Sequence, residues 1–141
     1  MIPSDTTPTG IAAFLDAQNH RGAGWAAETE APRESGSGSP HGQVRVFFND
    51  TITASIVADN GPLGNRMPHT EGSMVVKELY GSGTSVIGHA AMLRSGGQYI
   101  FYCNASEAGL CFAAHAANEV STVASNCACH TNGVVITPWP Q

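Results

Sequence analysis

Lysine is nearly missing from this chain: Lys77 stands alone, and the five arginines (Arg21, Arg33, Arg45, Arg66, Arg94) are scattered along 141 residues. Eleven acidic residues bring the formal net charge to −5. A nucleic-acid partner is therefore excluded, because neutralising phosphates needs clustered Lys and Arg. Long hydrophobic runs are lacking too. The apolar stretches are strand-sized, so no membrane span is expected. Charged residues of any kind make up 12% of the chain, about half the usual share. The opening Met1-Ile2-Pro3-Ser4-Asp5 has neither a basic n-region nor an apolar h-region. With four cysteines, which favour an oxidising compartment, this points to a mature periplasmic or secreted protein whose leader has been replaced by a start Met.

What is present is turn chemistry around short apolar segments. Sixteen glycines and eight prolines accompany an ordinary apolar fraction of 42%. The length suits a single domain with its own core. Residues 1–9 are rich in Pro, Thr and Ser and read as a flexible tail, which leaves 10–141 as one β-rich domain. Residues 11–17 carry apolar side chains at helical spacing, with Thr9 as the expected cap. Residues 28–42 read as a polar surface loop. Val44 to Phe48, Met74 to Tyr80, Val86 to Leu93 and Gln98 to Cys103 read as strands, the last two joined as a hairpin across Ser95-Gly96-Gly97. Thr51 to Asp59 fits either a strand or a helix behind Asp50. Residues 108–124 are Ala-rich and partly helical, and residues 134–137 form a last short strand. The fold class expected is α+β: an antiparallel, sheet-rich single domain with a few short helices.

Four segments, taken in order, resemble the cytochrome P-460 family. They are Ser39-Pro40-His41-Gly42-Gln43-Val44-Arg45-Val46-Phe47-Phe48-Asn49-Asp50, then Glu71-Gly72-Ser73-Met74-Val75-Val76-Lys77-Glu78-Leu79-Tyr80, then Gly97-Gln98-Tyr99-Ile100-Phe101-Tyr102, and finally Cys127-Ala128-Cys129-His130. Together they span about residues 25–136. The resemblance implies an exported β-rich domain holding one covalent c-type haem, with a redox or small-molecule partner. Some members of that family oxidise hydroxylamine or nitric-oxide-level substrates, and others bind gases. The resemblance makes His130 the iron ligand and Cys129, with Cys127 before it, the thioether cysteine. Lys77 falls where catalytic members cross-link a lysine to the porphyrin. Glu107 or Glu78 takes the place of their distal carboxylate.

The residues themselves carry alternatives. In Cys-x-x-Cys-His two thiols add to the haem vinyl groups and the histidine reaches iron. Here the gap is one residue, which strains a double attachment but permits a single thioether from Cys129. A haem-free reading places Cys103, Cys111, Cys127 and Cys129 in two disulfides. A Cys127–Cys129 ring would be tight, so pairing between the two clusters is expected. A third reading binds Zn or Cu at His115, Cys127, Cys129 and His130, although paired zinc cysteines usually sit further apart. His89, between small residues in an apolar strand, is either a core histidine or a distal pocket residue. His41 is expected to hold its loop by a backbone hydrogen bond. His20 and His69 read as surface residues, and Trp25, Trp139, Phe47 and Tyr99 as core or capping aromatics. Strand alternation puts Lys77 and Glu78 on opposite faces, without saying which one is inside.

Overall fold

The structure, a computed structural model, describes residues 1–35, 41–58, 69–107, 110–111 and 119–121. Cys127, Cys129, His130, His115, Trp139 and the strand expected at 134–137 lie outside the described residues. Among the described residues the centre is a seven-stranded sheet built from β1 (Trp25–Ala27), β2 (Arg33–Glu34), β3 (Gln43–Asn49), β4 (Met74–Gly81), β5 (Gly88–Ser95), β6 (Gln98–Ala105) and β7 (Glu119–Ser121). The order is β1-β3-β4-β5-β6-β7, β2 also pairs with β3, and every strand pairing is antiparallel. Helices α1 (Pro8–Asp16) and α2 (Asp50–Ala58) complete an α+β domain, with a short 3-10 turn at Asn19–Arg21.

Period-2 alternation along the strands builds two cores, one on each side of the sheet. Val44, Val46 and Phe48 of β3 join Val75, Leu79, Met92 and Phe101 on one face, where α2 covers them with Ile52 and Ile56. Phe47 joins Met74, Val76, Leu93 and Tyr102 on the other, where α1 covers them with Ile11, Phe14 and Leu15. Spacings of three and four residues place those last three side chains on one stripe of α1. Because both faces are covered, β4 is buried at Met74, Val75, Val76, Glu78, Leu79 and Tyr80 alike.

Local chemistry sets the element ends. The α1 cap is Thr7 rather than Thr9: its side chain accepts from Gly10 N, and Pro8 occupies the first helical position, where its missing N–H costs nothing. Pro3 is buried, so the expected tail is partly drawn in. Asn49 Oδ1 accepts from both Ile52 N and Met74 N, which settles Thr51–Ala58 as helix by capping α2. Gly96 and Gly97, both at positive φ, form the two-residue turn of the β5–β6 hairpin. Two expectations need correction. The loop at 28–42 contains β2, recruited by the open edge of β3. The Ala-rich segment contains β7, which pairs Glu119 to Ser121 with Phe101 to Cys103 of β6.

Candidate functional site

On the α1 face, β4 presents Val76, then Glu78, then Tyr80, and the apolar layer gives way to charge. Glu78 is 1% exposed. A buried carboxylate persists only when its lone pairs are filled, and here all are. Oε1 accepts from His20 Nε2 at 2.8 Å and Arg21 Nε at 2.6 Å. Oε2 accepts from Arg21 Nη2 and the Tyr80 hydroxyl, at 2.8 and 2.7 Å. Burial opposes ionisation of Glu78, but the hydrogen bonds from His20, Arg21 and Tyr80 outweigh it and hold the carboxyl at about 2. Burial and the bond to Glu78 push the Tyr80 hydroxyl up.

The 3-10 turn delivers His20 and Arg21 together, straight after Gln18 takes a left-handed conformation. His20 is fully buried, its ring edge-on to Phe47 with centroids 5.1 Å apart and tilted 76° to His89 at 5.3 Å. His20 Nε2 donates to the ionised Glu78, and its buried Nδ1 meets no hydrogen-bond partner among the described residues. His89 lies directly across the ladder from Glu78. Burial, and then the neighbouring His20, lower its pKa to about 4, so it is neutral at pH 7. Donor atoms of His20, Glu78 and His89 lie within 4.8 Å of one another. The bidentate Arg21 already occupies both carboxylate oxygens, so a cation entering there would displace a guanidinium.

Outward from this network lies a cleft of about 600 Å³, whose lining includes Arg21, Arg45, Tyr80, Gln43, Thr84 and Glu30. Arg45 faces Glu78 across the β3–β4 ladder, yet it donates from Nε to Thr29 O and lays its guanidinium 4.9 Å from the Phe47 centroid.

Lys77 belongs to the opposite face. There His41, also buried, is bonded through Nδ1 to Leu110 O at 2.7 Å, as its loop role required. Burial, and then the charge of Lys77, lower the His41 pKa to about 4. Cys103 and Cys111 form a disulfide on this side, with Cα atoms 5.9 Å apart. Pairing across the two cysteine clusters is thereby overturned: eight residues of chain bring Cys111 back to β6, and the bridge closes within the first cluster. Glu107 sits over Gly81, where an added Cβ would meet its carboxylate and Ile87.

The structure thus separates the residues singled out from sequence. Lys77 and Glu107 are placed on or beside the α2 face, whereas His89 and Glu78 lie on the α1 face, so one pocket does not take all four. His20 and His69, expected at the surface, are 0% and 4% exposed. His69 is drawn in by Ser55 and by the Tyr99 hydroxyl, which accepts from its backbone N–H at 2.8 Å. The network around Glu78 was missed for the same reason. One overlooked signal was available: Cys111-Phe112-Ala113-Ala114-His115 keeps the cysteine-to-histidine spacing of a haem-attachment segment, with Ala114 where the second cysteine belongs. No protein-family model, no curated protein and no solved structure matches this chain.

Proposed function

We propose that this is an exported, cytochrome P-460-like c-type haem protein acting in redox chemistry or gas binding. The observation that carries the reading is the Cys103–Cys111 disulfide. It removes from competition the two cysteines outside the haem-type segment, and a bond of this kind suits an oxidising compartment. Cys127 and Cys129 are then left with each other or with a cofactor. A Cys-x-Cys disulfide ring is strained, so a thioether from Cys129, with His130 as iron ligand, accounts better for them. While the disulfide is closed, Cys111 holds no haem, which favours Cys129-His130 over Cys111 and His115. Cys127 offers a second, strained attachment.

One thiol able to add to a haem vinyl group, followed directly by an imidazole able to reach the iron, fits haem c. When bound, haem supplies one-electron exchange and binding of small gases. The chain's own contribution lies on the α2 face, where the buried Val75 and Leu79 and the partly buried Ala90 pack around Lys77. Lys77 stands on a paired central strand, which fixes a reactive amine better than a loop does. Hydroxylamine oxidation is the catalytic form of this reading, with Lys77 joined to the porphyrin and Glu107 rather than Glu78 as the proton-handling carboxylate, because Glu78 is on the other face. Among the described residues no helix is long and apolar enough to cross a membrane.

Expression in a host with a cytochrome-maturation system provides the test. A Soret band that survives acid–acetone extraction, is lost in Cys129→Ala and shifts in His130→Ala is the expected result. A colourless protein from that host, with Cys127 and Cys129 recovered as free thiols or a disulfide, would sink the haem reading. In that case the same fold stands as a haem-free, disulfide-stapled binding domain; colourless protein that retains zinc or copper through Cys127, Cys129 and His130 would instead mark a metal site.

A further inference from the structure

We propose that the cleft between Arg21 and Arg45 binds a small hydroxylated oxyanion, a sugar acid or a polyol phosphate, on the side of the sheet away from Lys77. Two guanidiniums converge on one ring: Arg21 lies 5.9 Å and Arg45 4.9 Å from the centroid of Phe47. Like charges so placed repel unless something anionic sits with them. Glu78 answers only one of the two. Its oxygens are filled by His20, Arg21 and Tyr80, and no carboxylate among the described residues forms an ion pair with Arg45.

The two arginines are prepared differently. Arg21 is clamped through Nε and Nη2 by a buried carboxylate, so its position is fixed before any ligand arrives, and Nη1 remains for one. Such preorganisation lowers the ordering cost of binding. Arg45 is held by a single bond from Nε to Thr29 O and by stacking on Phe47, which leaves both terminal nitrogens of its fork for an oxyanion. The rest of the lining mixes hydrogen-bonding groups, among them the Gln43 amide, the Thr84 and Tyr80 hydroxyls and the Glu30 carboxylate, with apolar surface from Pro32 and Val86 that suits the carbon skeleton of a polyol. Glu30 accepts from a ligand hydroxyl. Volume supports the same class, since about 600 Å³ exceeds what a bare ion fills and falls in the range of small-molecule sites. One oxyanion on the arginines with hydroxyls toward Thr84 and Glu30 matches this arrangement.

The experiment titrates the full-length protein with gluconate, glycerol 3-phosphate and uncharged sorbitol, read by two-dimensional amide NMR and by calorimetry. Binding by gluconate or glycerol 3-phosphate, but not by sorbitol, is expected, and whichever binds identifies the oxyanion. Arg45→Gln, which leaves the Glu78 network whole, is expected to weaken binding at least tenfold with an unchanged melting temperature. Lys77→Gln, on the other face, is expected to leave it unaltered. No binding of either anion at millimolar concentration, sorbitol binding as well as the anions, or affinity that survives Arg45→Gln would each overturn the proposal. None of these readouts depends on haem, so this site and the haem reading fail separately.

Discussion

The two faces of the sheet bury charge in opposite ways. On the α1 side Glu78 is wholly enclosed and has four hydrogen bonds from three side chains, with an arginine in bidentate contact. On the α2 side burial, and then the charge of the half-buried Lys77, depress the pKa of His41, and a covalent bridge ties the adjacent edge. One face holds a fixed ionic network with a cleft above it. The other sets Lys77 on the face that carries the Cys103–Cys111 bridge. Burial of the Glu78 carboxylate is thus tolerated because its partners are complete, while on the other face a disulfide does the stapling.

The largest expected break in this comparison is Glu78→Ala. It leaves His20 and the Tyr80 hydroxyl buried without their acceptor, while the exposed Arg21 can turn to water, and losing one partner of a buried pair costs about 3–5 kcal/mol. That is a large share of a typical domain's stability of about 5–15 kcal/mol. Urea unfolding followed by circular dichroism measures it, and a loss below about 1 kcal/mol would mean the network is not integral to the fold. The pH dependence has a definite sign. Glu78 is held at about 2 against an ordinary 4.5, so its contribution is complete above 4.5 and is lost as pH falls toward 2. Glu78→Ala should flatten stability over that window.

Next in size is the bridge. Cys103→Ala with Cys111→Ala, or reduction, is expected to lower stability by about 2–4 kcal/mol, chiefly by freeing the unfolded chain. The informative readout is selective. His41, bonded to Leu110 beside the bridge, should change its NMR titration, whereas His89 on the α1 face should not. If His89 moves as much as His41, the two faces are not independent.

The smallest effect sharpens the contrast most. Lys77→Met should raise the His41 pKa from about 4, because it removes the nearby positive charge while burial stays. The His89 value, also about 4 but set by burial and His20, should stay put. Both histidines have folded pKa values below the ordinary 6.5, so each stabilises the fold less as pH falls from 6.5 toward 4. In Lys77→Met the His41 part of that loss shrinks. Imidazole chemical shifts against pH measure both sites in one sample.

Several parts of this outcome were legible in the residues. Val44-Arg45-Val46-Phe47-Phe48 and Met74 to Tyr80 announce strands by β-branched and aromatic content, and Gly96-Gly97 marks its hairpin because few other residues accept two positive φ angles in a row. The choice between Lys77 and Glu78 was not legible. Alternation gives opposite faces, but here both faces are covered, by α1 and α2, so neither parity means solvent. His20 was misread for a related reason. Its burial depends on Glu78, which is 58 residues away, and no local pattern encodes a partner at that distance. The pairing of Cys103 with Cys111 likewise needed a strand and a returning loop in three dimensions.

Sequence alone therefore determined the strand-rich, antiparallel character of this protein, its acidic balance and its supply of cysteine and histidine, since propensity, turn chemistry and charge are local properties. Only the tertiary structure decided which carboxylate is buried, which arginine holds it, which two arginines meet over Phe47, and which cysteines join. Those outcomes rest on desolvation and on partner geometry, which exist only once distant segments have packed.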